Sequence, residues 1–198
     1  MKIPRGWDKA QAYDGSLEKM TAGGHICRIV NARVDDVNGN DMLVLALDVA
    51  EGSQYDGFYR RDHKKKTATN PDAKWGCVYR QYVVTREGEC NPFFKGIIKC
   101  VEESNNGYRW SWQESTLKDK LVGVIFREEE FLKTDGTIST TIRPAFIRSV
   151  ARIREGVEVP NVKRLTNGAT ATGAALGQTV GAAGGNGFVQ VDDGSLPF

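Results

Sequence analysis

The sequence predicts a mainly β domain, a small Greek-key barrel with one helix, followed by a disordered C-terminal tail. Three observations lead there. Strand-like runs occur in two pairs, each joined by a turn signal. One amphipathic helical pattern lies between the pairs. After Leu165 the chain turns uncharged and is dominated by Gly, Ala and Thr.

Residues 24–37 alternate in part, with Ile26, Arg28, Val30, Ala32 and Val34 on one phase. Asn38-Gly39-Asn40-Asp41 follows as a turn signal, and residues 42–49 form the second run. The later runs, 121–131 and 137–154, flank Thr134-Asp135-Gly136 and read as another hairpin. Between the pairs, Asn91 is suited to cap a helix and Pro92 to open it. Phe94, Ile97, Ile98 and Val101 then recur at helical spacing, and Asn105-Asn106-Gly107 ends the pattern. Strands, one helix, then strands is the order of an OB-fold, a five-stranded, partly open Greek-key barrel. The domain is expected to span residues 1–165.

A chain of 198 residues with 40% apolar and 9% aromatic side chains can bury a core, which excludes full disorder. The longest apolar runs, 42–47 and 122–126, fall far short of the ~20 residues that span a bilayer. The opening Met-Lys-Ile-Pro-Arg-Gly-Trp lacks the hydrophobic stretch of a secretory signal, so a soluble cytoplasmic protein is expected. Cys27, Cys77, Cys90, Cys100, His25 and His63 show no zinc-ligand spacing. The cysteines read as buried small hydrophobes, and no metal or cofactor is expected. Walker-type and Gly-x-Ser-x-Gly motifs are absent. Glu128-Glu129-Glu130 would alternate across a strand and so not converge on a metal. Nothing points to an enzyme.

The charge distribution says more than the net +2. All 27 Lys and Arg lie at or before Arg164, while the last 33 residues carry only Asp192 and Asp193. A mildly basic body joins an acidic tip. Residues 52–75 break the strand pattern and read as a long polar loop, of the kind that carries function. There and just beyond, Tyr55, Phe58, Tyr59, Trp75, Tyr79 and Tyr82 are interleaved with Arg60, Arg61, Lys64, Lys65, Lys66, Lys74 and Arg80. Single-stranded nucleic acid is held by this pairing, cations along the phosphates and rings under the bases. Trp110 and Trp112 share one phase with Tyr108 and would add a second stacking face.

Residues 166–190 read as a flexible Gly/Ala/Thr-rich linker, and 191–198 as a partner-binding tip. In the tip, Asp192 and Asp193 would steer towards a basic rim and Phe198 offers a ring with a free carboxylate. Pro197, after Leu196, lowers the ordering cost of docking.

This tip resembles that of bacterial single-stranded DNA-binding proteins, with two acids in place of a longer run and Gly194-Ser195 before Leu196. The body resembles a phage and prophage family of single-stranded DNA-binding proteins from Gram-positive hosts. That resemblance rests on the strands at 24–37 and 42–49, Glu51-Gly52, Lys74-Trp75, the helix at 93–101, Val159-Pro160 and Lys163-Arg164-Leu165. It implies an OB-fold that coats single strands in phage replication or recombination in the bacterial host cytoplasm. It further implies a homo-oligomer whose tail recruits host replication and repair proteins. A strand-annealing recombination protein, or a small phage nuclease or nuclease subunit, are the alternatives.

Overall fold

Asn38 and Gly39 both take positive φ, 54° and 78°, the conformation a two-residue hairpin turn needs. They join strands β1 (Gly23–Val37) and β2 (Asn40–Val49). In this computed structural model, residues 19–50 and 53–165 are described; the Glu51-Gly52 step, the linker and the tip lie outside them. After helix α1 (Phe58–Thr67) come β3 (Val78–Tyr82), helix α2 (Pro92–Ser104) and a 3-10 turn at Glu114–Leu117. Strands β4 (Leu121–Leu132) and β5 (Ile138–Arg148) and the short helix α3 (Val150–Arg154) complete the order.

The five strands form one antiparallel open sheet in the order β3-β2-β1-β4-β5. The result is mainly β, as expected. β1 serves two partners, β4 along Gly23–Arg28 and β2 from Cys27 to Val37. A bulge between Ile29 and Asn31 lets it turn from one to the other. The extra residue also exchanges the faces: Cys27 and Ile29 are buried before it, Ala32 after it. The single alternating phase read from Ile26 to Val34 is therefore correct only beyond the bulge.

Three boundaries differ from the sequence reading. The run at 137–154 is a strand only to Arg148, and Ser149 then caps α3. β3 was hidden within the basic–aromatic stretch. Residues 58–67, expected as loop, form α1. The helix at 91–105 matches expectation: Asn91 accepts from the Phe93 amide at 2.9 Å, Pro92 opens it, and Phe94, Ile97, Ile98 and Val101 are buried.

α2 packs against β3, β4 and β5. It covers the gap between the two edge strands, which approach each other without a ladder. The inner side chains of all five strands meet its buried stripe in one core, which includes Leu43, Leu45, Leu47, Val124, Phe126 and Ile147. On the outer side α3 lies so close to β4 that a Cβ at Gly123 would stand 2.7 Å from the Ser149 carbonyl. Only glycine fits that approach.

α1 has no local cap. Gly57, at φ 63°, precedes it and offers no side chain. Asp48, 2% exposed on β2, fills that role from a distance: Oδ1 accepts from the Tyr59 amide at 2.9 Å and the Val49 amide at 3.0 Å. Arg60 Nε stands 3.6 Å from Oδ2. Burial pushes the Asp48 carboxyl above its ordinary range, while bonds from the Tyr59, Arg60 and Val49 amides and the Arg60 charge pull it back.

Asp48→Ala would leave the Tyr59 amide unpaired in the interior and should cost about 1–3 kcal/mol. Asp48→Asn keeps an acceptor and should cost less. A raised carboxyl pKa contributes stability that is full below the unfolded value and fades as pH rises through the folded one. The wild type should therefore lose stability relative to Asp48→Asn as pH climbs through the carboxylate range. Urea denaturation at acidic and neutral pH checks this; Asp48→Ala as stable as wild type would remove the capping role.

Candidate nucleic-acid interface

Strand pairing sets the side chains of β1, β2 and β3 in rows across the outer face. Asn31, Ala46 and Val78 form one row, Arg33, Val44 and Arg80 the next, and Asp35, Met42 and Tyr82 the third. The β2 members Met42, Val44 and Ala46 are 3%, 1% and 3% exposed, so the middle row is buried, while Arg33 on β1 and Arg80 on β3 are partly exposed at its flanks. Arg33 is held in place by a two-pronged bond to Asp35, 2.7 and 3.1 Å. β3 alternates cleanly: Tyr79 and Gln81 point inward, Arg80 and Tyr82 outward.

At the end of this face nearest the β1–β2 turn lies a groove of about 700 Å³. Asn38, Asn40, Arg80, Tyr82, Arg86 and Phe93 are among the residues that line it. Phe93 is 49% exposed on the first turn of α2, beside the stripe that α2 buries. The groove thus offers two rings and two guanidinium groups opening to one space.

α1 supplies the densest positive charge. Arg60, Arg61, Lys64, Lys65 and Lys66 are all exposed. Arg60 and Lys64, and Arg61 and Lys65, are four apart and share faces of the helix. Lys66 pairs with Asp62 at 2.7 Å, and Arg61 Nη1 donates to the Asp56 carbonyl. The helix sits against the Val49 end of β2, since Gly57 N–H donates to Val49 O. The groove lies at the Met42 end, so cations occur at both ends of the β2–β3 face. Lys74, also exposed, lies on the α1 side.

The aromatics of the sequence-based set divide sharply. Tyr55, Tyr59 and Tyr79 are 8%, 5% and 6% exposed, members of the core. Their rings are removed from the stacking set, which corrects the sequence reading. Tyr59 stacks on Phe126 with centroids 6.3 Å apart, and burial drives its phenol pKa far up. Burial likewise pushes Tyr79 up to about 12. Phe58 and Trp75 are half-buried against the core, and Trp75 Nε1 donates to Leu47 O at 2.8 Å. Tyr82 remains on the outer face. Phe93, Arg86 and Arg33 were missed by sequence reasoning. Phe93 had a readable signal, since it falls at the edge of the 94/97/98/101 stripe, four residues before Ile97, where a large ring is only partly covered.

Trp110 and Trp112 are not in a strand. They lie on the loop from α2 to β4, which is tied to β1 by bonds between Ile29 and Asp119 and Lys120. Trp110 packs against the core, its amide bonded to Glu102 Oε1 at 2.8 Å. Trp112 is 76% exposed at φ 61°, a costly conformation for a bulky side chain. The structure does not bring this pair to the groove. Cys27 and Cys77 are buried, Cys100 half-buried, and Cys90 exposed, contrary to the expectation for that one.

Glu129 bonds Arg127 at 2.7 Å and Glu130 accepts from the Leu165 amide, so these two of the three glutamates serve structure, while Glu128 is exposed. Among the described residues no three His, Cys, Asp or Glu side chains gather as metal ligands. Among them, too, no helix is long and apolar enough to cross a membrane. Scans against protein-family models and against curated proteins give no match to this chain.

Exposure orders the tryptophans. Trp112→Phe should lower the acrylamide-quenchable fraction of the fluorescence more than Trp75→Phe does. Equal losses would contradict the placement of these rings.

Proposed function

We propose that this chain is a non-enzymatic protein that coats single-stranded DNA regardless of sequence, acting in phage replication or recombination. The observation that carries the reading is the outer face of β3, where Arg80 and Tyr82 alternate outward into the groove shared with Arg86 and Phe93. Rings under bases and cations beside phosphates hold single strands without reading them. The strand order supports an OB-fold, whose face on the second and third strands and whose first hairpin loop bind oligonucleotides. Arg80 and Tyr82 on the third strand and Asn38 and Asn40 at the first hairpin occupy those places here. The cationic face of α1 extends the path at the other end of the same strands. In this reading the acidic tip at 191–198 binds host replication and repair proteins, leaving the body to hold DNA.

Tryptophan fluorescence titrated with oligo-dT and with duplex DNA, at low and high salt, tests the body. Tyr82→Ala should weaken single-strand binding by about 1–3 kcal/mol if it stacks one base. Replacing Lys64 and Lys65 together with Ala should flatten the salt dependence by about 0.7 for each phosphate no longer neutralised. A single-strand affinity indifferent to both changes would overturn the assignment of this face.

Deleting residues 196–198 should leave DNA affinity nearly intact and abolish pull-down of host replication or repair proteins. Unchanged pull-down would sink the tip assignment while leaving the DNA-binding reading untouched.

A further inference from the structure

β4 and β5 run on together past the rest of the sheet. β1 leaves β4 at Phe126, so Arg127–Leu132 and Ile138–Arg143 continue as a two-stranded ribbon. Two-stranded ribbons are marginal alone. The outer edge of the β4 half is met at Glu128–Glu130 by Lys163, whose amide and carbonyl bond Glu128 O and Glu130 N at 2.9 Å each. The β5 half has no such cover: among the described residues no strand or bridge pairs with its outer edge.

That edge lacks the usual guards. Charges, prolines and bulges normally blunt an edge strand. From Thr137 to Ile142 the sequence is Thr-Ile-Ser-Thr-Thr-Ile, uncharged and rich in β-branched residues. Ile138, at its start, is 61% exposed. The hairpin closes with Lys133 N–H donating to Thr137 O at 2.9 Å. Alternation in an antiparallel ladder then turns the backbone groups of Ser139 and Thr141 towards β4. Those of Ile138, Thr140 and Ile142 point to the open edge. Pro144, next on that side, has no N–H to give, which ends the pairable stretch.

The stretch is self-complementary about Thr140. Laid antiparallel on a copy of itself, Thr140 meets Thr140, Ile138 meets Ile142, and Ser139 meets Thr141. The residues whose backbone groups face outward are those that exchange bonds in that register. The Thr–Thr and Ile–Ile pairs are favourable across strands. On the same face, Leu132, 46% exposed and opposite Ile138 within the ribbon, would flank the new contact.

The geometry points to a two-fold homodimer in which the β5 edges of two chains pair antiparallel about Thr140, making one sheet continuous across both copies. The paired stretch, Ile138 to Ile142, is at the other end of β5 from Phe146–Arg148, which line the cavity beside Tyr79 and Phe93. A closed two-fold also uses up the edge and prevents open-ended stacking.

Light scattering after size exclusion, on the full chain over a range of concentrations, tests this. The wild type should show twice the chain mass. Thr140→Pro removes an outward N–H without touching the β4 ladder, and Thr140→Lys sets two like charges against each other on the axis. Both should return the mass to that of one chain with an unchanged circular dichroism spectrum. Thr140→Cys should give a cross-linked dimer with a short bismaleimide well above any formed through the native cysteines. A monomeric wild type, or a Thr140→Pro or Thr140→Lys variant that is folded and still dimeric, would overturn the proposal. So would a folded, dimeric Thr140→Cys variant that fails to cross-link above wild type.

Discussion

The sheet does not close. β3 and β5 come near each other, yet no ladder joins them, and much else in the molecule answers that gap. An open sheet whose edge strands approach each other must fill the gap between them with side chains or expose its core. α2 lays its apolar stripe along the seam, and Tyr79 of β3 and Phe146 and Ile147 of β5 stand beside it around a small cavity of about 290 Å³. Near the α1 end of the core, Tyr59 stacks on Phe126 beside Cys77. Each aromatic ring buries some 150–250 Å², so tyrosines are well suited to fill such a space. The rings engaged there are unavailable for any ligand, which leaves Tyr82 and Phe93 as the groove's aromatics.

The same logic governs charge. α1 stacks like charges at four-residue spacing, an arrangement that weakens an isolated helix by a few tenths of a kcal/mol per pair. It persists because Asp48 satisfies its first amides, Tyr59 anchors it in the core, and Lys64–Lys66 meet the negative end of its dipole. Tertiary contacts thus hold in place a cationic surface that local sequence would not fold. Asp48 bears the cost as a carboxylate buried in the protein, offset by three amides and one guanidinium group.

The two edges of the sheet have different fates. β3 ends beside the groove and α2, with Arg80 and Tyr82 displayed on its outer face. β5 carries an uncharged, β-branched edge on a ribbon that projects past β1. One edge is furnished with cations and rings, the other with plain backbone groups and threonines. Cations and rings recognise a ligand; bare strand edges recognise strands.

Features set by near neighbours could be read without the fold. The Asn38-Gly39 turn was legible because positive φ selects those residues, and α2 because cap, Pro and stripe fall within fifteen residues. The charge break after Leu165 needed no structure at all, and the readings of linker and tip rest on sequence alone. Long-range packing decided the rest. The bulge at Ile29–Asn31 reverses the buried face of β1, and only its two strand partners require it. α1 was hidden because its cap comes from Asp48, eleven residues away on another element. Tyr55, Tyr59 and Tyr79 look like stacking residues beside lysines, but an aromatic ring's fate depends on what packs over it. Burial is a property of the whole fold, and no window of sequence contains it.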